Sequence, residues 1–364
     1  MIKKLLHIIL ILTNILLVVA IVLSYLSSYI SPEKFWFLPF FGLGFPYFAL
    51  GNLFFLIYWI IRKRKFYFLS LIVLISGSVY LNDFVQINLS SDTKPQSAKI
   101  MSYNVRLFDL YSWSDKMESK NSIFKLLKKE APNIICFQEF YNDISDEFIT
   151  LDSILTISDT KFYHDEYTFD MHDTYYFGIA TVSTYPIVNK GKIRFENTNN
   201  ICIFTDIKIN DDTIRVYNNH LQSIHFKKED YSIIDSIEQI GKKDVAQVKN
   251  IFNKIKDASA IRAEQVEAIS NHIKMSPYPV FVCGDFNDTP ISYTYKKMSE
   301  GLIDAFAESG NGIGSTHNSK IPFLRIDFIL HSPQISTSGF EIIECNYSDH
   351  FPISCHFEIE KKNK

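Results

Sequence analysis

Three apolar runs fill the first 85 residues of the chain, and they constrain its fold more than any other feature of the sequence. A helix needs about 20 apolar residues to cross a bilayer. The runs at 5–30 and 35–61 reach that length, and the third reaches it over 66–85 only by including Asp83. We therefore expect an N-terminal bundle of three transmembrane helices over residues 1–85.

Two other interpretations of these runs fit the sequence less well. A signal peptide would have the basic start that Lys3 and Lys4 provide, but the apolar core is too long and no clear small-x-small cleavage site precedes Pro32. Core helices of a soluble protein are disfavoured because three nearly uncharged stretches follow one another.

The basic residues predict the orientation of the helices. Lys3 and Lys4 precede the first run and four basic residues occupy 62–65, whereas the loop between the first two runs has only Glu33 and Lys34 as charged residues. Lys and Arg favour the cytoplasmic side, so three crossings place everything after residue 86 outside the cytoplasm. If the third run does not cross, the rest of the chain is cytoplasmic instead.

The remainder of the chain differs in composition and charge. Overall, 47% of the residues are apolar and 21% are charged, which excludes a disordered or collagen-like protein. Residues 1–99 have a net charge of +6, whereas residues 100–364 have a net charge of −9. An acidic domain binds polyanions poorly, so long nucleic acid is a less favoured substrate.

The five cysteines are odd in number and show no Cys-x-x-Cys spacing. Each lies in or beside an apolar, strand-like run, which favours buried free thiols. A bridge between Cys345 and Cys355 stays open at this point, because sequence alone does not decide pairing.

A polar segment at 86–98 is the expected linker, and β-like and helical runs alternate after it from 99 to 360. The β-like runs are rich in β-branched and aromatic residues, and the helical runs have apolar residues at helical spacing. This length suffices for one α/β domain with a full core. Strands are predicted at 99–103, 134–138, 179–182, 202–209, 214–219, 280–283, 325–330 and 353–359, and helices at 119–130, 231–256 and 260–274.

Polar side chains recur where these predicted strands end or begin. Each cluster alone fits an ordinary turn or cap, but six in order, each flanked by an apolar strand, indicate one site on a rigid scaffold. The clusters are Ser102-Tyr103-Asn104, Phe137-Gln138-Glu139, Asn218-Asn219-His220, Gly284-Asp285-Phe286-Asn287, Arg325-Ile326-Asp327 and Ser348-Asp349-His350.

The residue types in these clusters favour phosphoester hydrolysis with a divalent cation. Glu, Asp and Asn oxygens suit Mg²⁺ or Mn²⁺ better than zinc. Hydrolysis also needs side chains that position and deprotonate the attacking water, and hydrogen-bond donors that stabilise the charge developing on the phosphoryl group. Asp285 and Asn287 can hold a water past a glycine turn, and the pair Asp349-His350 supplies a titratable imidazole.

The series of clusters resembles the endonuclease/exonuclease/phosphatase superfamily, the metal-dependent phosphohydrolases related to deoxyribonuclease I, sphingomyelinases and AP endonucleases. The resemblance covers about residues 99–360, and its most specific motifs are residues 284–287 and 348–350. It implies an α/β fold, a four-layer α/β/β/α sandwich of two mixed sheets with the site at the top. Three spans before such a domain resemble membrane-anchored bacterial members, which implies a multi-pass protein of the inner membrane.

The resemblance also implies how metal and water are held. Glu139 would be the principal Mg²⁺ ligand, with Mn²⁺ as an alternative ion, and Asn104 would help to position the metal or its waters. Asp285 would orient or deprotonate the attacking water, and Asn287 would hold the same water or a phosphate oxygen.

The remaining implied roles concern the histidines. His220 and His350 would donate hydrogen bonds to the scissile phosphate oxygens. Asp349 would fix the tautomer of His350 and raise its basicity. Asp327 would pair with a site histidine, with His220 as the expected partner. The motifs alone do not decide which residue is the general base.

We expect a membrane-anchored, Mg²⁺-dependent phosphoesterase that hydrolyses phosphodiester or phosphomonoester bonds outside the cytoplasm, with a lipid headgroup or small metabolite as substrate. The first alternative is a nuclease acting on DNA or RNA outside the cytoplasm. The second is an inactive binding protein on the same fold, which is disfavoured because every expected position holds a competent residue. Residues 225–256 have two interpretations: a solvated amphipathic helix pair, or a lid or surface that lies against lipid headgroups or substrate.

Overall fold

A computed structural model describes residues 1–88, 97–111, 119–143, 150–172, 174–196, 198–226, 244–319, 321 and 323–360. The remaining positions include residues 89–96 of the predicted linker and residues 231–243 of a predicted helix, and these parts of the two predictions lie outside the described residues. The chain forms two compact units. A helical unit contains Met1–Asn82, Gln222–Glu264 and Thr289–Lys296, and a sandwich unit contains Asp83–Leu221, Gln265–Asp288 and Lys297–Lys364.

The three apolar runs form helices, but the third differs from the prediction. Of the described residues, only α1 (Ile2–Ser27) and α2 (Leu38–Ile61) form helices long and apolar enough to cross a membrane. The third run is broken at Gly77 into α3 (Tyr67–Ser76) and α4 (Ser78–Asn82). The break has a steric reason, since a Cβ on Gly77 would lie 1.9 Å from Tyr25 Oη of α1. The third run is therefore not one continuous helix over 66–85, and its crossing of a membrane stays a prediction.

Polar side chains lie inside the helical unit and apolar ones lie outside. Asn14 Nδ2 donates to Ser70 Oγ at 2.8 Å, Ser70 Oγ donates to Asn52 Oδ1 at 3.2 Å, and Trp59 Nε1 donates to Asn14 Oδ1 at 3.0 Å. All four residues are buried, whereas long apolar side chains such as Leu16 of α1 are exposed. This distribution is the inverse of a water-soluble helix bundle. It matches the packing of helices in a bilayer.

Two segments from later in the chain pack on the end of the helical unit where α1 ends and α2 begins. Ser27 Oγ donates to the carbonyl of Ile291 at 3.1 Å, and a Cβ on Gly42 would lie 2.3 Å from the same oxygen. Phe252 stacks on Phe40 with ring centroids 4.7 Å apart. At the opposite end of the helical unit, the ring centroids of His7 and Trp59 are 5.5 Å apart.

The sandwich unit has two six-stranded mixed sheets, which confirms the predicted fold class for this part of the chain. The strands are β1 (Val85–Gln86), β2 (Ala98–Asn104), β3 (Ile134–Asp143), β4 (Phe162–Met171), β5 (Tyr175–Ser183), β6 (Ile187–Arg194), β7 (Ile201–Ile209), β8 (Asp212–His220), β9 (Val280–Asp285), β10 (Ile303–Asp304), β11 (Gly312–Ile313), β12 (Asp327–His331), β13 (Ile335–Ile342) and β14 (Ile353–Ile359). Sheet I has the order β10-β12-β9-β8-β7-β6, sheet II has the order β13-β14-β2-β3-β5-β4, and β1 pairs with β11. Among the described strands, only the pairs β2/β3 and β8/β9 are parallel.

The core lies between the two sheets, and helices cover their outer faces. Alternate residues of a strand point to opposite sides, so Ile100 of β2 packs between the sheets while Met101 packs among the side chains of α5 and α6. On the outer face of sheet I, Tyr217 Oη lies 2.8 Å from His272 Nδ1 of α7. These helices are α5 (Ser119–Glu130), α6 (Leu151–Ile157), α7 (Asp244–Lys274), α8 (Tyr293–Met298) and α9 (Ala305–Ser309).

All eight predicted strands are present, and helix 119–130 is confirmed. The helices predicted at 231–256 and 260–274 belong to one continuous helix from Asp244 onward. Ala258 and Ser259, which lie between the two predicted helices, are helical and buried. The polar run at 86–98 is not wholly a linker, since Gln86 pairs in β1. The five cysteines, all within the described part of the chain, are free thiols, and four of them are buried.

A buried amide pair joins the two sheets next to the edge where the polar clusters lie. Gln138 Nε2 of sheet II donates to Asn218 Oδ1 of sheet I at 2.7 Å. Asn218 Nδ2 in turn donates to the carbonyls of Phe137 and Ala180, at 3.1 and 3.0 Å. Because Asn218 and Gln138 are fully buried, water cannot replace a hydrogen bond that is lost between them.

We predict that Asn218→Ala lowers the free energy of unfolding by about 3 kcal/mol, since it removes three hydrogen bonds at a fully buried position. Chemical denaturation monitored by circular dichroism measures the loss. Asn271→Ala, at an exposed position of α7, is the control and should change stability by less than about 0.5 kcal/mol. Equal stability of the two variants would contradict the proposed sheet-to-sheet role.

Candidate active site

The strand directions bring the polar clusters to one edge of the sandwich. Parallel strands β2 and β3 of sheet II both run toward this edge, as do β8 and β9 of sheet I. Antiparallel β12 begins opposite Asp285, because Asp327 pairs with it in register. The predicted site residues therefore meet at the edge where these strands end or begin: Asn104, Glu139, His220, Asp285, Asn287, Asp327 and His350.

Glu139 is presented by a local irregularity in β3. The register against β5 shifts between Phe137 and Phe140, and Glu139 has a φ of +47°, which is uncommon for a residue with a side chain. Asn104 Nδ2 donates to Glu139 Oε1 at 3.2 Å and to Asp285 Oδ2 at 3.1 Å. Because Asn104 Oδ1 accepts from the backbone of Arg106, the amide is fixed with its nitrogen toward the carboxylates.

Asp285 is held by a tight turn after β9. Gly284 has a φ of +138°, and a Cβ there would lie 2.0 Å from the backbone oxygen of Asn219 in β8, so only glycine fits. Asn287 donates to Asp285 from its backbone nitrogen at 2.8 Å and from Nδ2 at 3.1 Å. Asn287 Nδ2 also donates to the carbonyl of Leu221, so Asn287 positions Asp285.

Two histidines face these carboxylates. His220 Nε2 lies 3.7 Å from Glu139 Oε1 and 3.9 Å from Asp285 Oδ2. His350 Nε2 lies 3.7 Å from Asp285 Oδ2, and His350 Nδ1 lies 2.9 Å from Asp327 Oδ2. The side chains of Asp285 and His350 are 1% and 7% exposed, and those of Glu139 and His220 are 34% and 20% exposed, so the latter two line the open part.

Burial and charge shift the pKa values in this group. Burial raises the pKa of Asp285 to about 6 despite the opposing effect of His350. Desolvation likewise raises the pKa of Glu139, and the charge of Asp349 adds to the rise. Burial alone would lower the pKa of His350, but Asp327 and Asp285 outweigh it and hold this pKa well above its usual value. The protonated imidazole is thus a hydrogen-bond donor at neutral pH.

The carboxylate partner of His350 differs from the expectation. Asp327, expected to pair with His220, contacts His350 Nδ1, whereas the Asp349 carboxylate lies 3.3 Å from Arg106 Nε. The reason is topological: β12 places Asp327 beside β9, directly under the imidazole. The prediction that Asp349 orients His350 was therefore wrong. Arg106 begins a turn of four residues with positive φ, a strained conformation that is typical of functional sites.

His317 lies beside the site, although its sequence context favours a polar loop over a position lining the cleft. Its ring lies 4.8 Å from that of His350 at an interplanar angle of 81°, and the two residues form an isolated β-bridge. Burial lowers the pKa of His317 to about 4, with the charge of His350 adding to the effect, so the ring is neutral. Only the pairing with residue 350 places the motif Ser315-Thr316-His317 here.

The arrangement fits a divalent cation. Glu139 and Asp285 direct carboxylate oxygens at the same amide and the same imidazole, and the pKa of each is raised, so both are short of positive charge. Ligand atoms of Asp285, Asp327 and His350 also lie within 4.8 Å of one another. Because Asp327 already pairs with His350 and Asp285 is almost fully buried, Glu139 on the open side is the better candidate ligand. Hard oxygen donors favour Mg²⁺ or Mn²⁺.

Comparison with known proteins agrees with this geometry. Residues 101–350 match the model of the Endonuclease/Exonuclease/phosphatase family. The chain belongs to this family. Residues 5–84 match a domain of unknown function, DUF8431. A search of curated protein sequences found no match.

Solved structures share the fold at low sequence identity. The endonuclease/exonuclease/phosphatase from Bacteroides vulgatus has a TM-score of 0.54 at 16% identity over 73% of this chain and 100% of that chain. The family protein from Bacteroides thetaiotaomicron has a TM-score of 0.53 at 18% identity over 73% and 98%. The human Nocturnin catalytic domain with bound sulfate anion has a TM-score of 0.51 at 19% identity over 72% and 93%.

We predict that Asp327→Asn lowers the pKa of His350 in the metal-free protein, because it removes the nearest carboxylate. A pH titration of the histidine NMR signals measures the shift. Asp349→Asn is the control and should give a smaller shift, since Asp349 pairs with Arg106. A larger effect of Asp349→Asn would restore the pairing expected from the sequence and contradict the geometry.

Proposed function

We propose that this protein is a membrane-anchored, Mg²⁺-dependent phosphoesterase that hydrolyses phosphodiester bonds. The observation that supports it is the convergence of Glu139, His220, Asp285 and His350, with each contact between them at 3.9 Å or less. Family membership supports phosphoester hydrolysis in general, and the oxygen-rich donor set supports a hard cation.

The site residues suggest a division of roles around the phosphoryl group. Asp285, with a pKa of about 6, is largely ionised at neutral pH and can accept the proton of the attacking water. Protonated His350 can donate to a phosphoryl oxygen, while Asp327 holds its Nδ1 and Asn287 holds Asp285. His220 lines the open side as a second donor. A cation bound at Glu139 would neutralise charge that develops on the phosphoryl oxygens.

The hydrolysis balances without a further reactant. The water oxygen forms a bond to phosphorus, and the bond from phosphorus to the leaving alkoxide breaks. Asp285 takes one proton from the attacking water and later releases it to solvent, and the leaving alkoxide takes one proton from solvent, so a phosphodiester and water yield a phosphomonoester and an alcohol. In-line attack places the leaving group opposite the water.

The helical unit supports the membrane anchor. Polar residues are buried and apolar ones exposed in α1 and α2, which favours a lipid environment. Lys3 and the basic residues 62–65 belong to one end of the unit, and Gln222–Glu264 and Thr289–Lys296 pack at the other, beside Ser27 and Phe40. Because basic ends face the cytoplasm, the packed segments, and the catalytic domain that continues them, would lie outside the cytoplasm.

The short third helix is compatible with this orientation. It starts near Phe66, whose ring lies 5.3 Å from Trp59 at the basic end. It ends at Gly77 beside Tyr25, and Tyr80 stacks on Tyr25 at 5.0 Å. The chain thus returns to the end where α1 finishes, although α3 alone is too short to span.

We predict that the purified full-length protein hydrolyses at least one phosphodiester in a substrate panel with Mg²⁺ or Mn²⁺. Glu139→Gln, Asp285→Asn and His350→Gln should each lower kcat/KM by at least about 10²-fold, as is typical for loss of a positioned acid, base or charge stabiliser. His172→Asn is the control, because His172 is exposed with positive φ, which Asn tolerates. Hydrolysis confined to nucleic acid would favour a nuclease, and no hydrolysis under any condition would favour a binding protein.

We predict that alkaline phosphatase fused after Lys364 is active, whereas a green fluorescent protein fused there is dark, since the first requires export and the second fails to fold after export. Fusions after Lys65 are the control and should give the opposite pattern. A fluorescent C-terminal fusion without phosphatase activity would place the catalytic domain in the cytoplasm and overturn the orientation.

A further inference from the structure

One end of the helical unit has exposed aromatic side chains paired with lysines. We call Tyr29, Trp36, Phe252, Lys256 and Lys296 the aromatic–lysine collar. The three aromatic residues are 60%, 51% and 47% exposed. Lys256 Nζ lies 5.9 Å from the Trp36 ring centroid, and Lys296 Nζ lies 5.4 Å from that of Tyr29.

The collar is built jointly by the apolar helices and by segments from the catalytic part of the sequence. Tyr29 and Trp36 belong to the connection between α1 and α2, whereas Phe252 and Lys256 belong to α7. Ile251 and Ile255 are buried beneath this part of α7 in a cluster that includes Phe40 and Leu43 of α2. The cluster fixes one face of α7 on the unit and leaves the aromatic and lysine side chains outward.

The composition of the collar matches a membrane–water interface. Tyr and Trp concentrate at the headgroup level, where an apolar ring meets water. Lysine stems can lie along apolar surface while the ammonium group reaches phosphate. The collar is also continuous with the exposed apolar side chains of α1 and α2, at the end away from the basic residues 62–65.

The chain passes directly from two site residues into this unit. Gln222, which begins one packed segment, is two residues after His220, and Thr289, which begins the other, is two residues after Asn287. Asn287 of the site is therefore only nine positions before Lys296 of the collar along the chain.

From this continuity we infer that the substrate is a phosphoester borne by a bilayer amphiphile, and that the aromatic–lysine collar binds the headgroup layer from which the substrate is taken. This inference rests on the proposed phosphoesterase function. The catalytic site would bind an anionic phosphoester in either case. The acyl chains of the substrate distinguish a lipid from a free headgroup. Hydrolysis follows the balance given above, with water as the only co-reactant.

The test compares two nitrophenyl phosphodiesters with the same leaving group, one carrying dioleoylglycerol and one carrying glycerol. The full-length protein is reconstituted in vesicles of phosphatidylcholine with one-fifth phosphatidylglycerol, with Mg²⁺, in detergent-free buffer. We expect kcat/KM for the lipid-borne substrate to exceed that for the soluble one at least tenfold. The double variant Lys256→Gln/Lys296→Gln should reduce this ratio at least fivefold.

The control is Lys161→Gln/Lys208→Gln, which removes the same charge at exposed positions of the sandwich unit and should leave both rates unchanged. Hydrolysis of both substrates at equal rates would overturn the inference while leaving the proposed function intact. Hydrolysis of neither would overturn both. An unchanged ratio in the collar variant would show that the collar does not bind the headgroup layer.

A second measurement does not depend on activity. A spin label on Lys256→Cys, in a Cys345→Ser background, should be more accessible to membrane-partitioned oxygen than to a water-soluble nickel chelate. A label on Lys208→Cys should show the reverse. Equal accessibility profiles at the two positions would overturn the placement of the collar at the interface.

Discussion

Electrostatic repulsion among desolvated carboxylates is the constraint to which the rest of the site responds. Glu139, Asp285 and Asp327 are carried to one edge by three strands, and burial raises the pKa of Asp285 to about 6. The surrounding groups offset this cost: His350 lies between two of the carboxylates, and the Asn104 amide donates to two of them. The balance is incomplete without a cation, which is what a metal-dependent phosphoesterase requires.

The edge of the sandwich could be predicted from the sequence, but the pairing within it could not. Each cluster can be recognised from its local sequence, since Gly284 and Asn287 predict a turn and Asp327 precedes an apolar strand. Which carboxylate faces which imidazole depends on the order of strands in sheet I, which pairs β12 with β9. That order results from long-range packing, so Asp327 rather than Asp349 contacts His350. The contact of His317 with His350 depends on long-range pairing in the same way, so the sequence alone favours a polar loop there.

The apolar N-terminal runs show a second limit of sequence reasoning. Length and hydropathy predict α1 and α2 well, because a spanning helix is nearly uniform in composition. They do not predict the break at Gly77, which follows from the approach of Tyr25. They also do not show that Asn14, Asn52 and Ser70 meet in one buried network, although polar residues in apolar helices suggest that each faces a partner helix.

Helix α7 belongs partly to the helical unit and partly to the sandwich unit, and its length is informative. Parallel strands β8 and β9 need a crossover, and a helix usually provides it. A strand of six residues such as β9 spans about 20 Å, which a helix covers with roughly 13 residues, whereas α7 has 31. The surplus lies in the part up to Glu264, which belongs to the helical unit and contributes Ile251 and Ile255 to its apolar cluster. The crossover that the sheet topology requires thus continues into the helical unit, where it contributes to the apolar cluster.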